Sequence, residues 1–597
     1  MNTAYLGLAT TPHDPAIAIV DGGGEVLFAE GAERHLQNKR AWASPADDLM
    51  RMDGLLREYC ARADRLVVCT SWTTRSCNLS RFLLLGSLMK NGMKRAFKKI
   101  DTLYNYYESR YMAAHMNRFS GLGVEFQSFS LSPDRPVVFR SYNHHMTHAA
   151  AACYSSDFTE AVCAVVDGMG EGTATSFFRF EKGRIEKIPG IPRSMASLGW
   201  FYSELCRWCG FDPMKGEEWK VMGLASYGKL DEELRQLMHQ LIYVKNGAPW
   251  LAKKPGPLIR QLVARGCSPG ESFERAADLA FTGQHVFSEL CSQLLSDAKV
   301  QLSENLVLAG GCALNSVWNG VVTQRSPFKR CFVYSAPADD GNAIGAALLG
   351  FLENGGTVAP RARVRTPYLG SSVDARQLQR ARRYSGLASV ELSDDGQLCG
   401  FIAEQLTRGR LVGWMHGRAE FGPRALGNRS ILADPRSGEV KDRLNNEVKF
   451  REQFRPFAPA ILHEFGNDYF HDYCETPYME RALRVKEQAR GRIPGVVHVD
   501  GTGRLQSVTK DMNPKFHLLI SKFMELTGVP VVLNTSFNVM GKPIVHGVTD
   551  ALAVFMTSGL DLVVIENVVF AKDPAVLEGL SFRNRAALVE HAEPAST

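Results

Sequence analysis

The stretch Ala161-Val162-Cys163-Ala164-Val165-Val166-Asp167-Gly168-Met169-Gly170-Glu171-Gly172 decides the fold. Its apolar run reads as a buried strand and Asp167 with the glycines as the turn that ends it. A second strand over Thr173–Phe180, a Lys182-Gly183 turn and a third strand over Arg184–Ile188 complete a triplet. The same plan stands at the start of the chain: strand Tyr5–Ala9, a polar turn, strand Ala16–Val20, the turn Asp21-Gly22-Gly23-Gly24, and strand Glu25–Ala29. Helical stretches follow each triplet. Such a duplication predicts two related halves facing each other across a cleft. The glycines from Gly168 to Gly172 imitate a dinucleotide fingerprint, but an alternating strand follows where that motif needs a helix, which excludes NAD.

Predicted strand ends carry the chemistry. Tyr142-Asn143-His144-His145-Met146-Thr147-His148 precedes the first strand of the second triplet. If it opens a helix, His144 and His148 lie four apart on one face and can reach one ion. Asp167 adds an oxygen ligand. The segment Ser335-Ala336-Pro337-Ala338-Asp339-Asp340-Gly341-Asn342 places further carboxylates after a predicted strand Lys329–Tyr334. Two histidines with two aspartates suit Fe, Mn or Zn better than a thiolate site does. In the alternative, His145 or His148 is a hydrogen-bonded core histidine and the aspartates are caps. Placement at strand ends, where open α/β sheets collect ligands, favours the ion. Leu306 to Asn315 runs from a strand through a Gly-Gly turn into a helix, making Gly310, Gly311 and Asn315 candidates for a phosphate cradle; otherwise the glycines form a tight turn that serves packing alone.

At 597 residues the chain is too long for one core. A Gly/Pro-rich linker near Asn354–Pro360 separates a first domain, residues 1–356, from a second α/β domain, residues 366–573, with a polar tail over 574–597. Residues 81–119, rich in Lys and Tyr, read as an inserted helical cap rather than a membrane-binding surface. A net charge of +6 lacks the concentrated basic stripe of nucleic-acid binders. The start has no leader pattern and no stretch is apolar enough to cross a bilayer, so no membrane is expected and the compartment expected is the cytoplasm. The 13 cysteines form no framework, and Cys206-Arg207-Trp208-Cys209 is an isolated pair read as structural.

The second domain is predicted to hold helices at Ala375–Tyr384 and Asp395–Thr407 and strands at Leu411–Trp414, Val529–Leu533 and Leu560–Ile565. A helix from Pro514 to before Gly528 should turn Phe516, Leu519, Ile520, Phe523 and Leu526 inward. Its chemistry lies in Gly417-Arg418-Ala419-Glu420-Phe421-Gly422-Pro423-Arg424-Ala425-Leu426-Gly427-Asn428-Arg429-Ser430 and in Lys449-Phe450-Arg451-Glu452-Gln453-Phe454-Arg455-Pro456-Phe457. Forked guanidiniums among phenylalanines and prolines predict a polyanion pocket. Leu533-Asn534-Thr535-Ser536-Phe537-Asn538 adds amides and hydroxyls at a strand end. No P-loop motif occurs, so a nucleotide must be held by other means.

Together these segments resemble the NodU/CmcH family of antibiotic and nodulation-factor O-carbamoyltransferases. The matching pieces are Leu6-Gly7-Leu8 with His13-Asp14, HHMTHAA from His144, VDGMGEG from Val166, KVMGLASYG from Lys220, LAGGCALN from Leu308, ADDG from Ala338, and the arginine-rich and LNTSFN segments of the second domain. The resemblance implies a duplicated actin-like ATPase domain (the ASKHA class, as in threonylcarbamoyl transferases) followed by a YrdC-like domain. It further implies that the second domain turns carbamoyl phosphate and ATP into carbamoyl adenylate and pyrophosphate. The first then passes the carbamoyl group to a hydroxyl of a small-molecule natural product, with Fe(II) or another divalent metal, Mg included, at the adenylate. By motif match His144, His148, Asp167 and Asp339 hold the metal. Arg418, Lys449 and Arg455 act on the carbamoyl and phosphate groups, with Arg424, Arg429, Arg504, Asn534, Ser536 and Asn538 assisting. His13 is the candidate for orienting or deprotonating the acceptor, a role that suits imidazole; otherwise it is a turn residue. The chain departs from the family at Ala29–Arg34 and in the inserted segment, which leaves the acceptor open. The rival functions are transfer to tRNA or to a protein, or an idle nucleotide-binding scaffold. The absence of paired CxxC modules and the retention of both the arginines and the metal ligands weigh against them.

Overall fold

The structure is a computed structural model that describes residues 2–11, 13–42, 44–73, 135–267, 271–358, 366–578 and 580. The proposed insert at 81–119 and most of the proposed tail lie outside these residues. The chain forms two compact units: Met1–Gly370 with Phe421–Pro423 and Glu480–Ala482, and Ser371–Glu420 with Arg424–Met479 and Leu483–Thr597.

The first unit contains two five-stranded sheets with one topology. One is built from β1 (Thr3–Ala9), β2 (Ala16–Val20), β3 (Val26–Gly31), β4 (Arg65–Thr70) and β5 (Val137–Ser141), in the order β3-β2-β1-β4-β5. The other uses β6 (Glu160–Val166), β7 (Thr175–Glu181) and β8 (Arg184–Lys187). After a small ribbon of β9 (Ile242–Lys245) and β10 (Ala248–Leu251), it is completed by β11 (Asn305–Ala309) and β12 (Arg330–Val333), in the order β12-β11-β6-β7-β8. In each, the first strand pairs antiparallel with the second and parallel with the fourth. This is the expected duplicated actin-like fold. The predicted triplets match to within about two residues because glycine, proline or polar residues mark their turns, while the runs Ala16–Val20 and Ala161–Val166 are buried throughout.

Each fifth strand leads into a helix, His144–Ser155 after β5 and Asn342–Glu353 after β12. Their small residues let the two backbones meet: a Cβ on Gly345 would lie 1.9 Å from the carbonyl oxygen of Thr147, and one on Gly7 would lie 1.8 Å from that of Ala343. A methyl at either position would force the elements apart. That close packing brings the starts of both helices, with their polar residues, to the same end of the sheets.

The second unit is the expected α/β domain, with one nine-stranded sheet. Its strands are β13 (Ala388–Glu391), β14 (Val412–Met415), β15 (Arg429–Ala433), β16 (Ala458–Leu462), β17 (Arg481–Arg484), β18 (Thr502–Val508), β19 (Val531–Ser536), β20 (Leu562–Ile565) and β21 (Val568–Ala571). Their order is β13-β21-β20-β14-β15-β19-β16-β18-β17. The helices Ala375–Tyr384, Asp395–Thr407 and Pro514–Thr527 fall where the periodicity and caps put them. Phe516, Leu519, Ile520 and Phe523 are fully buried with Trp414 and Leu533, each such side chain contributing roughly 1.5–3 kcal/mol. Leu526 is the exception, 56% exposed. At about 100° per residue it has drifted to the edge of the apolar stripe just before the helix ends. Among the described residues no helix is long and apolar enough to cross a membrane.

Candidate functional site

Asn143 caps the helix His144–Ser155, its side chain accepting from the Met146 amide at 3.2 Å, which fixes His144 and His148 on the first turns of one face. Asp167 stands at the end of β6, its two oxygens held by the amides of Gly311 (3.0 Å) and Met169 (3.3 Å). Asp339 comes from the short turn Asp339–Gly341 after β12. The structure brings these four buried residues together, with one ligand atom from each within 4.8 Å of the others. His144 Nε2 lies 3.4 Å from Asp167 and 3.5 Å from Asp339, and His148 Nε2 lies 3.3 Å from Asp339. His144 Nε2 is nevertheless buried without a hydrogen bond. Burial works against charge on His144 and on both carboxyls, yet the pairing wins: the histidines hold both carboxyls well below the usual range. The two aspartates push the His144 imidazole up to about 10. Two ionised carboxylates and two imidazoles converging on one point make a set that a divalent cation fits, since its charge replaces what the imidazole proton otherwise provides.

The neighbours orient this set. Trp72 stacks on His144 at 4.4 Å, and the Asn342 side-chain amide lies 3.1 Å from His148 Nε2. His145 belongs to the core, as one reading of the motif held: its Nδ1 is 2.8 Å from the Ser176 hydroxyl, its Nε2 faces Gly170, and burial pushes its pKa down to about 3. His13 sits in the β1–β2 turn with Nδ1 2.9 Å from Asp14 and 3.9 Å from Asp339.

Gly310, Gly311 and Asn315, the expected phosphate cradle, are engaged within the protein. The Gly311 amide is committed to Asp167. Gly310 adopts φ +88°, and a Cβ there would come within 2.4 Å of the Val166 carbonyl oxygen, so the pair shapes the Asp167 turn. Asn315 caps the helix Ser316–Asn319 and exchanges amide hydrogen bonds with buried Gln284.

In the second unit a π-helical turn, Asn445–Lys449, ends at Phe450 in a left-handed conformation. Such turns recur where a side chain must be aimed. Here the ammonium of the buried Lys449 is delivered to Ser536 and Asn538, donating to the Ser536 carbonyl and hydroxyl, to the Asn538 carbonyl (3.1 Å) and to Asn538 Oδ1 (2.8 Å). Arg424, Arg451, Arg455 and Arg504 surround the same region. Burial depresses the Lys449, Arg451 and Arg504 pKa values, and the mutual repulsion of these cations depresses them further; burial alone brings Arg424 to about 10. Arg504 Nε is buried without a hydrogen bond. A polyanion placed among these crowded cations would relieve their repulsion. Asn445, Phe450, Arg451, Glu452 and Met540 line a cleft beside it.

Two expected ligands have other work. Arg429 is fully buried and its terminal nitrogens donate to the carbonyls of His416, Asn428, Ser371 and Gly417. Asn534 braces the arginine loop through Ala425 and Gln506. Arg418 is half-buried in that loop, its carbonyl held by Asn428.

Sequence reasoning missed Glu420. Its buried carboxylate accepts from the amides of Leu426 (2.7 Å), Asn428 (2.8 Å) and Arg429 (3.0 Å), and so folds the loop that presents Arg424. The only signal in the sequence is an acidic residue between arginines in a glycine-rich segment. Glu420→Ala strands three buried amides, and at roughly 1–3 kcal/mol for an unsatisfied group the second unit is expected to lose about 3 kcal/mol or more. The denaturation midpoint checks this.

Two family models match the chain: Carbamoyltransferase N-terminus over residues 131–348 and Carbamoyltransferase C-terminus over residues 403–572. Nodulation protein NolNO of Sinorhizobium fredii is 35% identical over 468 residues, 77% of this chain and 68% of that protein. Nodulation protein NolO of Bradyrhizobium diazoefficiens is 36% identical over 450 residues, 74% of this chain and 80% of that protein. Nodulation protein U of Rhizobium tropici is 29% identical over 598 residues, 94% of this chain and 95% of that protein.

Proposed function

Because this chain belongs to the carbamoyltransferase family and is a carbamoyltransferase, we propose that it is an ATP-dependent O-carbamoyltransferase with one chemical step in each unit. The observation that carries this reading is the pairing of two unlike sites on one chain: the buried Lys449 with four half-buried arginines in the second unit, and a four-ligand N/O centre beside His13 in the first.

In the second unit, carbamoyl phosphate, water and ATP yield carbamoyl adenylate, pyrophosphate and phosphate. The negative charge grows on the transferring phosphoryl oxygens, where Arg424, Arg451, Arg455 and Arg504 are already gathered and need no reorganisation. Lys449, fixed by Ser536 and Asn538, places a further cation at a set point. In the first unit the acceptor hydroxyl oxygen bonds to the carbamoyl carbon as the bond to the adenylate oxygen breaks. AMP leaves, and the hydroxyl proton passes to His13 Nε2. His144, His148, Asp167 and Asp339 would hold a divalent metal, Fe(II) being the first candidate, which supplies Lewis-acid stabilisation of the leaving group. The acceptor is a hydroxyl of a small molecule.

The test is an assay with labelled carbamoyl phosphate and a panel of polyhydroxylated small molecules. Carbamoylated product and pyrophosphate are expected only when ATP is present, and product formed at full rate without nucleotide overturns the reading. Removing the protein-bound metal is expected to stop product formation more completely than pyrophosphate release, and added Fe(II) or Mn(II) is expected to restore it.

A further inference from the structure

We propose that Arg40 is a positioning residue for His13, acting through Asp14 to hold the imidazole with Nδ1 as hydrogen-bond donor and Nε2 as the exposed lone pair. The inference rests on the reading of His13 as the proton acceptor.

Three residues form the device. Asp14 Oδ2 lies 2.9 Å from His13 Nδ1 and accepts from Arg40 Nε (3.2 Å) and Nη2 (3.1 Å). The remaining Arg40 nitrogen, Nη1, donates to the Pro213 carbonyl at 2.9 Å, with Glu218 4.0 Å away. The backbone is locked in parallel: the Asp14 amide donates to the Arg40 carbonyl at 2.8 Å, and the Arg40 amide to the Glu33 carboxylate at 3.0 Å. Asp14 and Arg40 both adopt left-handed backbone conformations, at φ 55° and 60°. Neither is a glycine, so the surrounding contacts must over-determine both. The two strained residues thus hold each other and the neighbouring imidazole in one geometry.

The arrangement also decides a tautomer. Arg40 Nη2 lies 3.1 Å from His13 Nδ1 as well as from Asp14. A neutral ring therefore has two choices: Nδ1–H donating to Asp14, or a bare Nδ1 accepting from Arg40. Arg40 and His13 hold the Asp14 carboxyl below its usual range against the effect of burial, so it is ionised and can only accept. With Arg40 Nε and Nη2 both on that carboxylate, Nδ1–H is the tautomer that satisfies all partners. The other groups facing the ring, Asp339 at 3.9 Å from Nδ1 and Trp42 edge-on at 5.1 Å between ring centres, offer no competing donor at Nδ1. A proton acceptor needs Nε2 bare, which this tautomer provides.

The test is nitrogen NMR of the full chain labelled with 15N-histidine, at a pH where the ring is neutral, with His13 assigned by the signal lost in His13→Gln. The wild type is expected to show a pyrrole-type Nδ1 and a pyridine-type Nε2. In Arg40→Ala, Asp14 loses the two donors that hold its Oδ2 against Nδ1, so the two tautomers should mix and the two shifts move towards each other, while Arg40→Lys, which keeps a cation on Asp14, should retain the wild-type pattern. Were Arg40→Ala not to fold, Arg40→Gln reads the same shift. Wild-type shifts in a folded Arg40→Ala or Arg40→Gln protein, or an Nε2–H tautomer in the wild type, overturn the proposal. Because turnover is not measured, these outcomes are distinct from a failure of the carbamoyl-transfer reading, which the ATP and product assay tests.

Discussion

Arg455→Ala should abolish pyrophosphate release. Its guanidinium lies among Lys449, Arg451 and Arg504, whose pKa values are depressed by burial and by neighbouring cations that include Arg455, and Glu452, at 3.2 Å, is its carboxylate neighbour. Such a group is assembled in advance for charge that the reaction develops, so the loss of one member is felt mainly in the transition state. Removing a preorganised donor of this kind costs about 2–4 kcal/mol, roughly 30- to 1,000-fold in rate. The single-turnover rate of pyrophosphate formation measures it. A variant that releases pyrophosphate at the wild-type rate while folded removes Arg455 from the first step.

Asp339→Ala should do the reverse, with pyrophosphate release kept and carbamoyl product lost. Asp339 is the carboxylate common to His144 and His148, at 3.5 and 3.3 Å, so its removal opens the centre on two sides. Loss of a mere outer-sphere partner costs about 10–100-fold in metal affinity, and loss of a ligand is expected to exceed that. The metal content of the purified protein and the two partial reactions check it together. If Asp339→Ala and Arg455→Ala each depress both steps equally, the assignment of one step to each unit fails.

The triplets and the His144–His148 spacing were legible in the sequence because both are periodic statements: alternation and a four-residue step survive without knowledge of the partner elements. The choice between Asp339 and Asp340 was less legible, since adjacent carboxylates in one turn differ only in where they point. The expected ligands whose groups are already engaged share one physical feature. Arg429, Asn315 and Gly311 have the chemistry of ligands, but their donors are taken by backbone carbonyls, by Gln284 and by Asp167. Residue type reveals a capacity for hydrogen bonding and not whether that capacity is already used. Glu420 was missed for the opposite reason, because a carboxylate among arginines looks like a counter-ion, whereas it binds amides across six to nine residues of its own loop. The π-helical turn that aims Lys449 has no distinctive composition at all.

The equivalence of the two five-stranded sheets bears on how such a centre could arise. The β1–β2 turn supplies His13 and the matching β6–β7 turn supplies Asp167; the helix after β5 opens with His144 and the one after β12 follows Asp339. Corresponding places now carry unlike residues. An ancestor made of a single half would have had to pair with a copy of itself, and each loop would have been bound to serve two roles at once. Joined in one polypeptide the halves need not be alike: the first contributes His13, His144 and His148, and the second Asp167 and Asp339. A substitution in one half therefore has no spare in the other, and the two members of each pair should tolerate different sets of replacements.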